Sequence, residues 1–172
     1  MPNWIEGTMK LRGKMSDIKH FIDERICRYE FTGDIEQLST SKRPKSDYIK
    51  DSSYDEDELN YEIFNDPHVE GTRRMFVCDS HIWMNDPEGI CCFNIRQAWS
   101  FTAHDIDKEN LIALADKYNV DIRLFGIECG MEFIQEVIVH HGHDSEKGKI
   151  VLDNCIQFED WEWECPFPSM GG

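Results

Sequence analysis

Trp4-Ile5-Glu6-Gly7-Thr8-Met9-Lys10-Leu11-Arg12 is a stretch of alternating residues near the start of the chain. Ile5, Met9 and Leu11 fall on one side, and Glu6, Thr8, Lys10 and Arg12 on the other. Period two over nine residues predicts a strand with one buried face and one wet face. Gly13 interrupts it. Beyond it, Met15, Ile18, Phe21, Ile22 and Ile26 recur three and four residues apart. That spacing is the apolar stripe of an amphipathic helix, with Ser16 at the N-cap position.

Regular patterning returns only at Arg74. Met75-Phe76-Val77-Cys78 with Ile82-Trp83-Met84 reads as one strand, and Ile90 to Trp99 as another. Asn85-Asp86-Pro87-Glu88-Gly89 between them is a turn signal, so a β-hairpin is expected. Asp107 then suits the cap of a helix carrying Leu111, Ile112, Leu114, Ala115 and Tyr118, with Asn119 at its end. Three strands follow, over 120–127, 131–140 and 149–158. The order of the main segments is βαββαβ. It predicts an α+β, ferredoxin-like antiparallel sheet with two helices on one face, extended by a C-terminal strand pair. One domain over 1–172 is the expectation from length.

Residues 28–70 break the pattern. Positions 51–72 hold eight acids and no Lys or Arg. Carboxylate repulsion disfavours compaction, so this stretch reads as a loosely structured acidic insertion with a short helix near 55–64. It is expected to add little to the core. Residues 158–172 read as an acidic, aromatic tail.

The residues Pro2-Asn3-Trp4, Gly13, Trp99, the helix over 107–118 and Glu128-Cys129-Gly130-Met131-Glu132-Phe133 form a recognisable set. In these the chain resembles the ferredoxin-like domain of YubB-type proteins, small proteins carried by phages and plasmids. The likeness covers roughly residues 2–27 and 74–142. Many relatives carry a Cys after the first Trp and an Asn two residues later, where this chain has Ile5 and Gly7. No role for those side chains carries over. The resemblance implies a fold and a mobile-element setting, and no particular chemistry.

Net charge is −16, and it is uneven. Residues 1–50 hold ten Lys/Arg against eight Asp/Glu, while the remainder hold eight against twenty-six. Such a surface repels nucleic-acid phosphates, so direct nucleic-acid binding is not expected. It suits a host protein with a basic surface. No apolar run reaches membrane-spanning length, and no secretory signal is visible, so a cytoplasmic location in the host cell is expected. Seven cysteines, an odd number without C-x-x-C spacing, argue against a disulfide framework or an iron–sulfur site.

Candidate sites follow from residue type. His140, His141 and His143 lie beside Asp144, but at an expected turn. Cys78 and His81 lie across the expected hairpin from Cys91 and Cys92, although odd spacing puts Cys78 and His81 on opposite faces. No metal, cofactor or catalytic residue is assigned from either group. Glu128, Glu132 and Glu136 read as the wet face of a strand. Two acidic-aromatic stretches remain, Tyr54 to Tyr61 and Phe158 to Glu164. Aromatics anchor interfaces and acids steer association. From these stretches, Asp55, Glu56, Asp57, Glu58, Tyr61, Trp161 and Trp163 are the expected partner-binding residues. The function expected is an interaction protein of a mobile element. It would be an acidic inhibitor of a host nucleic-acid-handling defence enzyme, such as a CRISPR effector. The alternative is a small-ligand- or metal-binding protein, or an enzyme, using the Cys/His positions or the open sheet face.

Overall fold

The computed structural model describes residues 3–32, 39–102, 105–143 and 146–158. The chain runs β1 (Trp4–Lys14), α1 (Met15–Arg25), β2 (Ile26–Cys27), β3 (Tyr29–Thr32) and β4 (Ser39–Lys42). After a 3-10 turn at Lys45–Asp47 come β5 (Ile49–Asp51), β6 (Leu59–Ile63), β7 (His68–Val69), β8 (Met75–Val77), β9 (Ser80–Met84) and β10 (Glu88–Ala98). The last elements are α2 (Asp105–Tyr118), β11 (Asp121–Glu128), β12 (Phe133–His140) and β13 (Lys149–Gln157).

The alternating opening segment becomes the hub of the molecule. β1 pairs antiparallel with β10 from Trp4 opposite Ala98 to Lys14 opposite Glu88. Its other edge pairs with β11 from Glu6 opposite Ile127 to Arg12 opposite Asp121. The full sheet has eight strands in the order β13-β12-β11-β1-β10-β8-β7-β2. A three-stranded sheet, β5-β6-β9, and the β3-β4 hairpin complete the strands.

Both helices cover one face of the large sheet and touch each other, α1 lying on β1 and β10, and α2 on β11, β12 and β13. Ile18, Phe21 and Ile22 of α1 and Leu111, Leu114, Ala115 and Tyr118 of α2 are buried in one cluster with Ile5, Met9 and Leu11. The Phe21 and Tyr118 rings meet edge to face, 5.3 Å apart, where the helices meet. The opposite face carries the even-numbered residues of β1.

The ferredoxin-like α+β expectation is overturned. Strands make up 51% of the described residues and helices 18%, so the described protein is mostly sheet, with an eight-stranded sheet and a separate three-stranded one. Two local readings explain the miss. Residues 75–84 do not form one strand. β8 pairs with β10 through Val77 opposite Ile95, whereas β9 leaves that sheet and pairs with β6. At the break, the Cys78 N–H donates to the Asn94 carbonyl, and the Ser80 hydroxyl donates to the Cys78 carbonyl. His81 therefore lies opposite Glu62, not Cys92.

The second miss is the acidic segment. No helix forms at 55–64; Leu59-Asn60-Tyr61-Glu62-Ile63 alternates instead as β6, with Leu59, Tyr61 and Ile63 buried. Tyr48, Ile49 and Val69 are buried as well, so this region contributes to the core. The helix starts also differ. Lys14 occupies the N-cap of α1, without a side-chain cap, and the Met15 N–H donates to the Pro87 carbonyl at 2.9 Å. Ser16 lies inside that helix. α2 begins at Asp105, so Asp107 is inside it, and Asn119 adopts φ 50° just past its end. Among the described residues no helix is long and apolar enough to cross a membrane.

Candidate functional site

The acidic stretch forms a built turn between β5 and β6. The Asp51 carboxylate accepts from the Ser53 N–H at 2.9 Å, and Asp55 accepts from the Asp57 N–H at 3.0 Å. Both are side-chain turns of the kind that aspartates favour. Glu58 closes the loop. One of its oxygens accepts from the Tyr54 N–H, and the other from the Trp83 indole N–H, both at 2.9 Å. The β6–β9 pairing puts Asn60 opposite Trp83 and so brings the indole to the turn.

Asp55, Glu56, Asp57 and Glu58 are thus together at one edge of the small sheet, the first three exposed and Glu58 half-buried. Tyr61 is not with them. It is fully buried, its ring under the Lys45 ammonium at 5.1 Å, so it is a core residue and not a contact residue. Alternation decides this: Tyr61 shares the inward face of β6 with Leu59 and Ile63. Trp161 and Trp163 lie outside the described residues. The exposed aromatics at this edge are Tyr54, 92% exposed, and Trp83, 57% exposed. Trp83 was not among the expected binding residues. Its signal in the sequence was its odd offset, one residue from each of the buried Ile82 and Met84, which faces it outward.

The histidine group at the β12–β13 turn is held by local bonds. The His141 ring pairs with Asp121 at 2.8 Å and lies 4.5 Å from the His143 ring. Burial opposes ionisation of Asp121, but hydrogen bonds from Arg12 and His141 hold its carboxyl below the usual range. Asp116 accepts from the backbone of Gly142 and Gly148 and closes the loop. Among the described residues no three His, Cys, Asp or Glu side chains gather as a metal site. Burial pushes the Cys78 thiol up to about 11 and the Cys91 thiol up to about 12, so neither is a ready nucleophile at neutral pH. Glu128 is buried rather than on the wet face. Its carboxylate accepts from the Gly130 and Met131 N–H groups and shapes the β11–β12 turn. Glu136 is an ion-pair partner of Arg123 at 2.6 Å.

The open face of the large sheet holds a cavity of about 390 Å³. Register places Thr8 between Asn94 and Phe125, and Glu6 between Arg96 and Ile127, and all six line the cavity. Arg96 turns away from Glu6. Its guanidinium donates to Asp66 at 2.9 Å and lies over the rings of Trp4 and Phe76, at 5.5 and 5.8 Å. Compared with protein-family models, curated proteins and solved structures, the chain matches none of them.

Proposed function

We propose that this protein acts by binding a host protein that presents a basic surface. The observation carrying this reading is the acidic turn with Asp55, Glu56 and Asp57 exposed and Glu58 half-buried, buttressed against Trp83 and flanked by Tyr54. A fixed aromatic beside carboxylates joins the two ingredients of a binding edge, an anchor with little entropy to lose and charge that steers encounter. The resemblance to proteins of phages and plasmids makes a host nucleic-acid-handling defence enzyme the partner class. An effector of the CRISPR type has a basic groove of the required sign. In this reading the protein is its inhibitor, a cytoplasmic competitor for that groove, and not an enzyme.

The test is capture of partners from a host lysate at low and high salt. The control is a variant carrying Asp55→Asn, Glu56→Gln, Asp57→Asn and Glu58→Gln. Asp55→Asn keeps the acceptor of its turn, Glu58→Gln keeps one of its two acceptors, and the four changes together remove the charge. Screening acts within roughly 10 Å at 0.1 M salt, so a defence nuclease should be recovered at low salt, less at high salt, and less by the variant. Recovery that ignores both salt and variant would defeat the proposal.

A second reading, a small-ligand binder that uses the open sheet face, is favoured by the cavity over Thr8 and Glu6.

A further inference from the structure

The sheet cavity has a chemistry that its own residues leave unfinished. Glu6 and Arg96 sit directly opposite each other on β1 and β10. Opposite charges at that position ordinarily pair. Here they do not: Arg96 bonds Asp66, and the Glu6 carboxylate takes no hydrogen bond from any described residue. Thr8 also has no side-chain partner among them. Asn94 uses its amide N–H on the Asp79 carbonyl, which leaves its side-chain oxygen open. The Arg96 Nε is buried without a hydrogen-bond partner among the described residues. The cavity therefore offers a carboxylate acceptor, an amide acceptor and a hydroxyl beside Phe125.

Resting on the small-ligand reading, we propose that this face binds a guanine mononucleotide. A carboxylate accepts two hydrogen bonds at once, and it needs two neighbouring N–H groups on a planar partner. The guanine edge has that pair, with a carbonyl acceptor next to them for the Thr8 hydroxyl. Its ring is flat and suited to lie on an aromatic side chain. The cavity lies within the range of about 300–1,000 Å³ usual for small-molecule sites.

Charge selects a single nucleotide over a polynucleotide. Lys10 lies on the same face of β1, four residues from Glu6, which is about 13 Å along a strand. Its ammonium has no ion-pair partner among the described residues and lines the neighbouring hollow with Arg12 and Arg123. Those two arginines are already paired, with Asp121 and Glu136. One uncommitted cation suits one phosphate. A chain of net charge −16 repels a polyanion.

The test is calorimetric titration of the full chain with GMP, guanosine, AMP, inorganic phosphate and a short single-stranded RNA. Saturable GMP binding, with guanosine weaker and AMP weaker still, is expected. Glu6→Gln replaces one acceptor by a donor and should weaken GMP by about tenfold or more. Lys10→Gln should weaken GMP and leave guanosine unchanged. Thermal melts should show both variants folded, since neither side chain is buried. Equal binding of GMP by wild type and Glu6→Gln would overturn the proposal, as would RNA binding without GMP binding. Native mass spectrometry separates the two levels. A retained small molecule of another class would overturn the nucleotide and leave the small-ligand reading standing. No retained molecule together with no titration signal would overturn both.

Discussion

Gly7 and Gly126 face each other across β1 and β11, and the reason for Gly126 is the ring above it. A Cβ on Gly126 would come within 2.7 Å of the Phe101 ring and 2.8 Å of the Glu6 carbonyl. Phe101 is fully buried, and its N–H donates to the buried side-chain oxygen of Gln135 at 2.9 Å. The ring is pinned, so it cannot retreat from an added methyl. Overpacking of this kind costs about 1–3 kcal/mol. Gly126→Ala should therefore lower the melting temperature by roughly 2–4 °C for each of those kcal/mol, read by calorimetry. An unchanged Tm would mean that the sheet yields here. Gly7 answers to a different neighbour: a Cβ there would fall 1.9 Å from the Phe125 carbonyl oxygen and 2.5 Å from the Gly126 Cα, so the close approach of β11 is what requires a glycine.

At the scale of elements, the acidic stretch from 28 to 70 is the segment that most changes the fold. It supplies β5 and β6, and β6 recruits β9 away from the large sheet. Tyr61, fully buried among the apolar residues of this layer, is the side chain to test. Tyr61→Ala should cost about 3–5 kcal/mol, the range for removing a large aromatic from a core, measured by urea unfolding. Deleting 49–63 should abolish cooperative melting, the opposite of what an insertion that adds little to the core would give. A deletion variant that still melts cooperatively would show that the large sheet stands without it. The sequence made the regular pieces legible. β1, the stripe of α1, α2, β11 and β12 show periods of two or 3.6, because each has one face on the core and one in water. Leu59-Asn60-Tyr61-Glu62-Ile63 has the same period, but eight carboxylates around it suggested disorder. Net repulsion argues about a solvated chain, and it loses to burial once a partner strand is at hand. That partner, Ser80–Met84, could not be read locally, because pairing across twenty residues leaves no local pattern. Of the candidate site, the acidic turn was legible as composition. Trp83 was not, since its link to Glu58 depends on that same unforeseen pairing.

For the whole molecule, the decisive question is how an excess of sixteen negative charges is tolerated. Part of the answer is that key carboxylates tie separate elements together. Glu24 on α1 accepts from Lys117 at 2.8 Å and from the Tyr118 hydroxyl at 2.7 Å, both on α2, and its other oxygen meets His20 at 2.9 Å. These bonds, that from Lys117 first, hold its carboxyl down to about 2. Asp121 joins β11 to Arg12 of β1, and Asp153 joins β13 to Lys108 of α2. Burial works against the charge of Asp153, but bonds from Lys108, Gln135 and Thr102 leave it below its ordinary range. The Tyr29 hydroxyl lowers Glu70 in the same sense. A carboxyl whose folded pKa lies below its unfolded value stabilises the fold above the unfolded value and loses that contribution as pH falls through the folded one. For Glu24 the window runs from 4.5 down to about 2. Stability should therefore decline through this window even though overall repulsion is vanishing near the isoelectric point of 4.7. The measurement is thermal melting at intervals from pH 6 to pH 2, comparing wild type with Glu24→Gln. The variant should melt lower at pH 6, and the two curves should converge toward pH 2, where Glu24 itself becomes protonated. Curves that stay parallel down to pH 2 would show that Glu24 holds the helices by its shape alone and that its charge contributes nothing.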